Sequence, residues 1–233
     1  NPDTGSTTNK VDFSTIPGLA KVIDIANSPN GSRLYILSEL ENSRSGGVIK
    51  EFNIALSTTT DLTLTESHSN SDFTSPTTLT IDTKGDKLFY LDNDALVSVD
   101  TSNGKLTIMS DRDNDLKIQN PRDLIVETAL NKAWLTDDNL DAIIEINLIT
   151  GTRQILSGPS IGTGPQLQSP NNLALDPSNN RLLVADQNLN LIFTISLENG
   201  NREYFLSNRY GHGQQFSTPS DVVIDQSSSI AYV

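Results

Sequence analysis

Four pairs of polar residues, each directly after a proline, are the side chains of this sequence best suited to binding a ligand. In chain order the pairs are Thr77 and Thr78, Arg122 and Asp123, Asn171 and Asn172, and Ser220 and Asp221. They are polar and differ from one another, as a ligand site requires and a uniform packing layer does not. The alternative is that such residues satisfy backbone groups where a strand begins. The candidate ligand-binding residues are therefore Thr78, Arg122, Asp123, Asn171, Asn172 and Asp221.

A histidine in a glycine-rich segment is one further candidate. The sequence has two histidines and no cysteine, which argues against structural zinc, thiolate nucleophiles and multi-histidine metal centres. His212 lies between Gly211 and Gly213, ahead of a predicted strand, where it could face a ligand or remain an exposed loop residue. No pattern in the sequence predicts a catalytic residue.

An acidic segment suggests a calcium ligand set without completing it. Asp111, Asp113 and Asp115 alternate as do the first oxygen ligands of an EF-hand loop. Leu116 then stands where the glycine of that loop belongs, and Arg122 where its closing glutamate belongs. The segment therefore predicts a solvated loop between strands, with bound calcium as the alternative.

The elements that position these residues are strands, because the chain repeats one unit. Between residues 166 and 207, apolar residues alternate in short runs, which is the period of a half-buried strand. Turn residues separate the runs, and no interval is long enough for a crossover helix. The unit recurs with prolines at intervals of 45, 49 and 49 residues, and with an aspartate at the end of each second strand. The prolines are Pro76, Pro121, Pro170 and Pro219; the aspartates are Asp92, Asp137 and Asp186.

Four antiparallel strands in sequence cannot bury both faces of their sheet alone. Radial packing of such sheets, as the blades of a β-propeller, solves this problem, typically with about four to eight blades. A β-sandwich or a stacked array is the alternative. We predict an all-β chain, a β-propeller with blades beginning near residues 22, 76, 121, 170 and 219. Val22 takes the place of the proline in the first and most divergent copy.

Two segments carry a resemblance to a known family. Residues 162–176 and 211–225 resemble the NHL repeat, whose pattern is a glycine pair, an aromatic or apolar residue, a proline and a strand ending in Asp. The resemblance implies a propeller, commonly six-bladed, that binds partners through one face. About four and a half blades are present, so we expect the native chain to continue. A five-bladed ring completed by a strand over residues 10–16 is the alternative.

A more distant similarity to gluconolactonase and senescence-marker-type propellers implies a second function. Those propellers hold a divalent cation over the channel with a glutamate, an asparagine and an aspartate. Asn171 matches the asparagine, but Ser220 stands where the aspartate is expected, and no Glu-Gly-Pro motif opens the first blade. A metal-dependent hydrolase of the lactonase type is therefore the alternative function.

Composition and charge restrict the partners. The length of 233 residues and the polar start of the sequence predict a flexible lead over residues 1–9 and one domain over residues 10–233. We expect the protein to be monomeric. A net charge of -13 repels phosphate, so nucleic acid is not expected, and no run is apolar enough to insert in a membrane. The composition favours a periplasmic or secreted location. The leading hypothesis is a non-enzymatic module that binds a protein, peptide or glycan.

Overall fold

The described part of the chain forms four four-stranded antiparallel sheets and one two-stranded sheet. The computed structural model describes residues 16, 19–40, 47–62, 64, 75–206, 217–225 and 230–233. Blade 1 contains β1 (Leu19–Asn27), β2 (Arg33–Leu40), β3 (Gly47–Asn53) and β4 (Thr58–Asp61); blade 2 contains β5 (Pro76–Ile81), β6 (Lys87–Asp92), β7 (Ala95–Asp100) and β8 (Leu106–Ser110); blade 3 contains β9 (Pro121–Glu127), β10 (Lys132–Asp137), β11 (Ala142–Asn147) and β12 (Arg153–Ser157). Blade 4 contains β13 (Pro170–Asp176), a short 3-10 helix (Pro177–Asn179), β14 (Arg181–Asp186), β15 (Leu191–Ser196) and β16 (Arg202–Leu206); blade 5 contains β17 (Val223–Asp225) and β18 (Ile230–Tyr232).

Strand pairing confirms the alignment of the repeats. Within each sheet the strands pair in chain order, as in a meander. The proline that opens a blade pairs with the aspartate that ends the second strand, for example Pro121 with Asp137 and Pro170 with Asp186. Val22 pairs with Ser38 in the same register, although blade 1 has no proline there.

The blades pack face to face around an axis lined by their first strands. β1 contacts β5, β5 contacts β9, β9 contacts β13, and β13 contacts β17. Apolar side chains fill the space between neighbouring sheets; Tyr35, Leu79 and Tyr90, for example, form one cluster between blades 1 and 2. Blades 2, 3 and 4 thus bury both faces of their sheets against their neighbours, which is the arrangement of a β-propeller. The predicted fold class is confirmed.

Two predicted boundaries differ from the structure. The first strand begins at Leu19 rather than near Val22, because bulges on either side of Val22 extend its pairing with β2. In blade 5, Pro219 precedes the strand, and β17 begins only at Val223. The predicted lead, His212 and most of the predicted strand over residues 10–16 lie outside the described residues. Within that stretch Ile16 is described, and it packs against Ile36 and Phe52.

Candidate functional site

The candidate residues lie at one end of the propeller, which we call the entry face. It is built by the loops that lead from each fourth strand to the next first strand, together with the turns between second and third strands. The two sets are adjacent because a first strand begins where its antiparallel second strand ends, as Pro121 and Asp137 do.

Aspartates at the ends of the second strands hold the entry-face loops. The Asp137 carboxylate accepts hydrogen bonds from the amides of Gln119 at 2.7 Å and Asn120 at 3.2 Å, in the loop before its blade. It also accepts from Asn139 and Leu140 in its own turn, at 3.1 and 3.2 Å. Asp186 makes the same kind of contacts in blade 4. These carboxylates act as acceptors for the backbone, which accounts for their recurrence in the sequence.

Two buried arginines hold the same loops from the outer strands. Arg202 lies on β16 and donates to the carbonyl oxygens of Pro165, Gly158 and Ile161 at 2.5, 3.1 and 2.9 Å, and to Ser157 Oγ at 2.8 Å. Its side chain is buried, and burial lowers its pKa.

Arg153 has the equivalent position on β12 and fixes the loop that follows blade 2. It donates to the carbonyl oxygens of Leu116 at 3.1 Å and Asp111 at 2.8 Å, and it forms an ion pair with Asp94. Its side chain has no exposed surface. The loops before blades 3 and 4 are therefore fixed by guanidinium groups of the blades that follow them.

Glycine allows the outer turns to approach the preceding blade. Gly200 has a φ of 70°, and a Cβ there would lie 1.8 Å from the carbonyl oxygen of Leu156. Gly151 has a φ of 72°, and its Cβ would lie 2.7 Å from the carbonyl oxygen of Met109. The two positions require glycine both for their backbone conformation and for close contact.

After Pro121 and Pro170, the second residue connects neighbouring blades near the axis. Asp123 Oδ2 accepts from the Leu173 amide of blade 4 at 3.0 Å. In the same way Asn172 Oδ1 accepts from Val222 of blade 5 at 2.9 Å. These two candidates therefore have a structural role in the ring, whatever they bind.

Asp24 makes the same connection from blade 1 to blade 2, because its Oδ2 accepts from the Leu79 amide at 2.7 Å. Thr78, the corresponding residue of blade 2, breaks the pattern. It is buried, and its hydroxyl has no hydrogen-bond partner. The amide that it would reach, that of Leu124, is instead bonded by Asp123 Oδ1 of its own strand at 2.8 Å.

Two carboxylates near the axis, those of Asp24 and Asp123, have raised pKa values. Burial raises the pKa of Asp123 to about 6, against hydrogen bonds from Leu173 and Leu124 that lower it. The negative charges of Asp24 and Asp221 raise it further. Burial also raises the pKa of Asp24, and the charge of Asp221 adds to that effect. Desolvation and like charge thus act together in one place.

After the same two prolines, the first residue bonds other groups of the entry face. Arg122 is exposed and pairs with Asp138 Oδ2 at 2.6 Å, while Ser169 donates to Asp138 Oδ1 at 2.7 Å. Asn171 Nδ2 donates to the Ser220 carbonyl oxygen at 3.1 Å. The structure therefore brings Arg122 and Asn171 to the entry face, but each already has a partner within the protein.

The metal-binding alternatives receive no support from the donors present. Asp111, Asp113 and Asp115 are exposed, and Asp111 Oδ1 accepts the Asp113 amide at 3.0 Å, as in an ordinary Asx turn. In the described part of the chain, no group of three or more His, Cys, Asp or Glu side chains could hold a metal ion. Asn171 directs its amide nitrogen at a carbonyl, and Ser220 lacks a carboxylate. The residues do not fit the lactonase-type cation.

Three residues of this region were missed in the sequence. Asp24 occupies the second position after Val22, so the repeat alignment contains it, but the missing proline hides it. Arg153 and Arg202 both lie two residues after a turn glycine, a spacing that could have identified them.

The fold and the fixed entry face define this chain as a β-propeller. Solved structures agree. A chain of a nidogen/laminin complex matches with a TM-score of 0.64 and 20% identity, over 89% of this chain and 70% of that chain. Auxiliary nutrient binding proteins of Bacteroides thetaiotaomicron and Bacteroides ovatus match with a TM-score of 0.65 and 14% and 15% identity. This chain spans 57% of each of these two proteins.

At these identities the likeness shows the fold alone. No protein-family model and no curated protein matches the chain. Among the described residues, no helix is long and apolar enough to cross a membrane.

Proposed function

We propose that this propeller is a binding module that takes a protein, peptide or glycan ligand on its entry face. The observation that carries the proposal is that different residues of these loops fix the backbone and face outward. Buried groups such as Arg202 and Asp186 fix the loop backbone, whereas the outward residues differ between blades. A preorganised backbone with variable side chains lowers the entropy lost on binding and allows specificity.

The structural neighbours support binding rather than catalysis. One belongs to a nidogen/laminin complex, and two are auxiliary nutrient binding proteins. The NHL-type assignment, a six-bladed ring over one domain from residue 10, a monomeric state and a periplasmic or secreted location are parts of the same proposal. Their support is the glycine and proline pattern of residues 162–176 and 211–225, together with the acidic composition.

The test is ligand selection followed by variants of the two ends of the propeller. A phage-displayed peptide library and a glycan array are screened against the immobilised protein. Arg122→Ser changes the entry face, and Lys105→Ser changes an exposed residue between β7 and β8 at the opposite end. We expect Arg122→Ser to weaken selected ligands at least about tenfold and Lys105→Ser to leave them unchanged.

Two results would contradict the proposal. One is the absence of any ligand with a Kd below about 100 μM, which corresponds to only about 5.5 kcal/mol of binding free energy. The other is a set of ligands that respond to Lys105→Ser and not to Arg122→Ser.

A further inference from the structure

Carboxylates of three blades occupy the same repeat position, around the axis where the first strands begin. Asp24, Asp123 and Asp221 lie on blades 1, 3 and 5 at the same position of the repeat. Blades 1, 3 and 5 are not neighbours, since each first strand contacts that of the next blade. The charges of Asp24 and Asp221 nevertheless act on Asp123. The effect of these two charges on the pKa of Asp123 agrees with the equivalent positions of the three residues around the axis.

No basic side chain of the described residues forms an ion pair with these carboxylates. Asp24 accepts from the amides of Ile25 and Leu79, each at 2.7 Å. Asp123 accepts from those of Leu124 and Leu173. The nearby Arg122 pairs with Asp138 instead. Amide dipoles compensate only part of a desolvated charge, so the negative charge here is incompletely balanced.

Thr78 is an independent observation at the same place. Its hydroxyl is buried, with 2% of the residue exposed, and has no partner. The next residue, Leu79, packs towards blade 1 in the cluster with Tyr35. Because side chains alternate along a strand, Thr78 faces blade 3, where Asp123 lies. A buried hydroxyl without a partner requires an explanation, and a ligand atom beside Asp123 supplies one.

We propose that Asp24, Thr78, Asp123 and Asp221, which we call the acidic mouth, bind a cationic group of the ligand, namely the guanidinium or ammonium group of a basic peptide segment. The inference deepens the proposed function and rests on it. Among the described residues the carboxylates are not grouped as a metal site requires. A guanidinium group offers five N–H donors in a plane and can span carboxylates of separate blades.

The acidic mouth also predicts how binding depends on pH. A bound cation favours the ionised form of Asp123 and lowers its pKa below the value of about 6 that it has without ligand. Binding therefore releases a proton near that pH. The affinity for a basic peptide should fall as the pH is lowered through 6, whereas the charge of the peptide itself stays constant there.

The experiment is a titration of the whole chain with defined probes. The pentapeptide Ac-Gly-Gly-Arg-Gly-Gly-amide is compared with its citrulline analogue, which is neutral but similar in shape, and with CaCl2. The backbone amide signals of Leu79 and Leu173, which are bonded by Asp24 and Asp123, report the site in 15N NMR spectra. We expect the arginine peptide to shift both signals, and the other two probes to shift neither.

Matched variants locate the binding. Asp221→Asn removes one charge from an exposed member of the acidic mouth and should weaken the arginine peptide about tenfold. Asp113→Asn removes the same charge from an exposed loop elsewhere on the entry face and should change the Kd less than twofold. Thr78→Val tests the hydroxyl without changing charge and should weaken binding several-fold.

Several outcomes would overturn the acidic mouth. Equal binding of the arginine and citrulline peptides would exclude a charge requirement. Saturable calcium binding that displaces the peptide would indicate a metal site, and equal effects of Asp113→Asn and Asp221→Asn would indicate diffuse attraction. Library ligands that lack basic residues, depend on Arg122 and ignore Asp221→Asn would refute this inference while leaving the proposed function intact.

Discussion

Arg202 is the residue whose removal tests most directly how the entry face is held. Its guanidinium donates to three carbonyl oxygens of the loop before blade 4 and to Ser157 Oγ, and only 3% of the residue is exposed. Arg202→Met keeps the apolar stem and removes all four hydrogen bonds. Arg202→Lys keeps the charge, but a single ammonium group cannot reach the same acceptors.

The expected loss follows from the number of acceptors left without a donor. A hydrogen bond from a charged donor contributes about 1.5–3 kcal/mol, and a buried acceptor left unpaired costs about 1–3 kcal/mol. Water can reach part of this surface loop, so we expect Arg202→Met to lower the free energy of unfolding by about 3–5 kcal/mol. Arg33→Met is the control, because Arg33 is exposed with one ion pair to Glu51 at 3.3 Å and should cost at most about 1 kcal/mol.

Urea unfolding followed by the fluorescence of Trp134 measures both variants, because Trp134 is the single tryptophan and is fully buried. Hydrogen exchange of the Gly158 and Ile161 amides, which bond to each other's carbonyl oxygens, reports the loop itself. We expect their protection to fall in Arg202→Met and to stay unchanged in Arg33→Met. If Arg202→Met costs no more than Arg33→Met and leaves loop exchange unaltered, the arginine does not hold the loop.

Three further perturbations probe the ring itself. Gly200→Ala should lower the free energy of unfolding by more than about 3 kcal/mol, because the new Cβ meets the backbone of Leu156. Gly31 also has a positive φ, of 66°, but a Cβ there has nothing within 4 Å, so Gly31→Ala should cost only about 1 kcal/mol. Thermal unfolding of the two variants measures the difference. Asp123→Asn should become more stable relative to the wild type as the pH rises from 4 to 7, by up to about 3 kcal/mol in urea unfolding. The reason is that the folded wild-type protein keeps the Asp123 proton up to a pKa of about 6, whereas the unfolded chain releases it near 3.8. A difference in stability that does not change with pH would contradict this. Thr78→Val should raise the free energy of unfolding by about 1 kcal/mol, since it removes an unpaired buried hydroxyl, and a loss of stability would show that the hydroxyl has a partner.

The fold could be predicted because its signals are local. A proline at the start of a strand and an aspartate at the end of the next have causes within a few residues, namely a fixed φ and an Asx turn. Where the local signal is missing, the prediction was less accurate. The first copy has Val22 instead of proline, and β1 extends back to Leu19 through two bulges.

The site was less predictable, because its contacts join different blades. Asp123 bonds an amide 50 residues away, and Arg153 pairs with Asp94 at a separation of 59 residues. Such partners are set by radial packing, which no local pattern encodes. The recurrence of Arg153 and Arg202 was also hard to detect, because blade 2 has Leu106 at the equivalent position of its fourth strand. Leu106 pairs with its third strand in the same register as Arg153, but it is buried in an apolar cluster.

Thr78 of blade 2 interrupts the series of bonds that connect neighbouring blades near the axis. Asp24 and Asn172 connect their blades to the next ones near the axis, but Thr78 makes no such bond to blade 3. The junction of blades 2 and 3 is connected at the outer strand β12, by the buried ion pair between Arg153 and Asp94. The junction of blades 3 and 4 has both kinds of connection, through Arg202 at the outer strands and through Asp123 near the axis. At the junction of blades 2 and 3 the axial position therefore holds a hydroxyl without a protein partner, and a cationic ligand group that bonds Thr78 and the carboxylates of the acidic mouth would complete it.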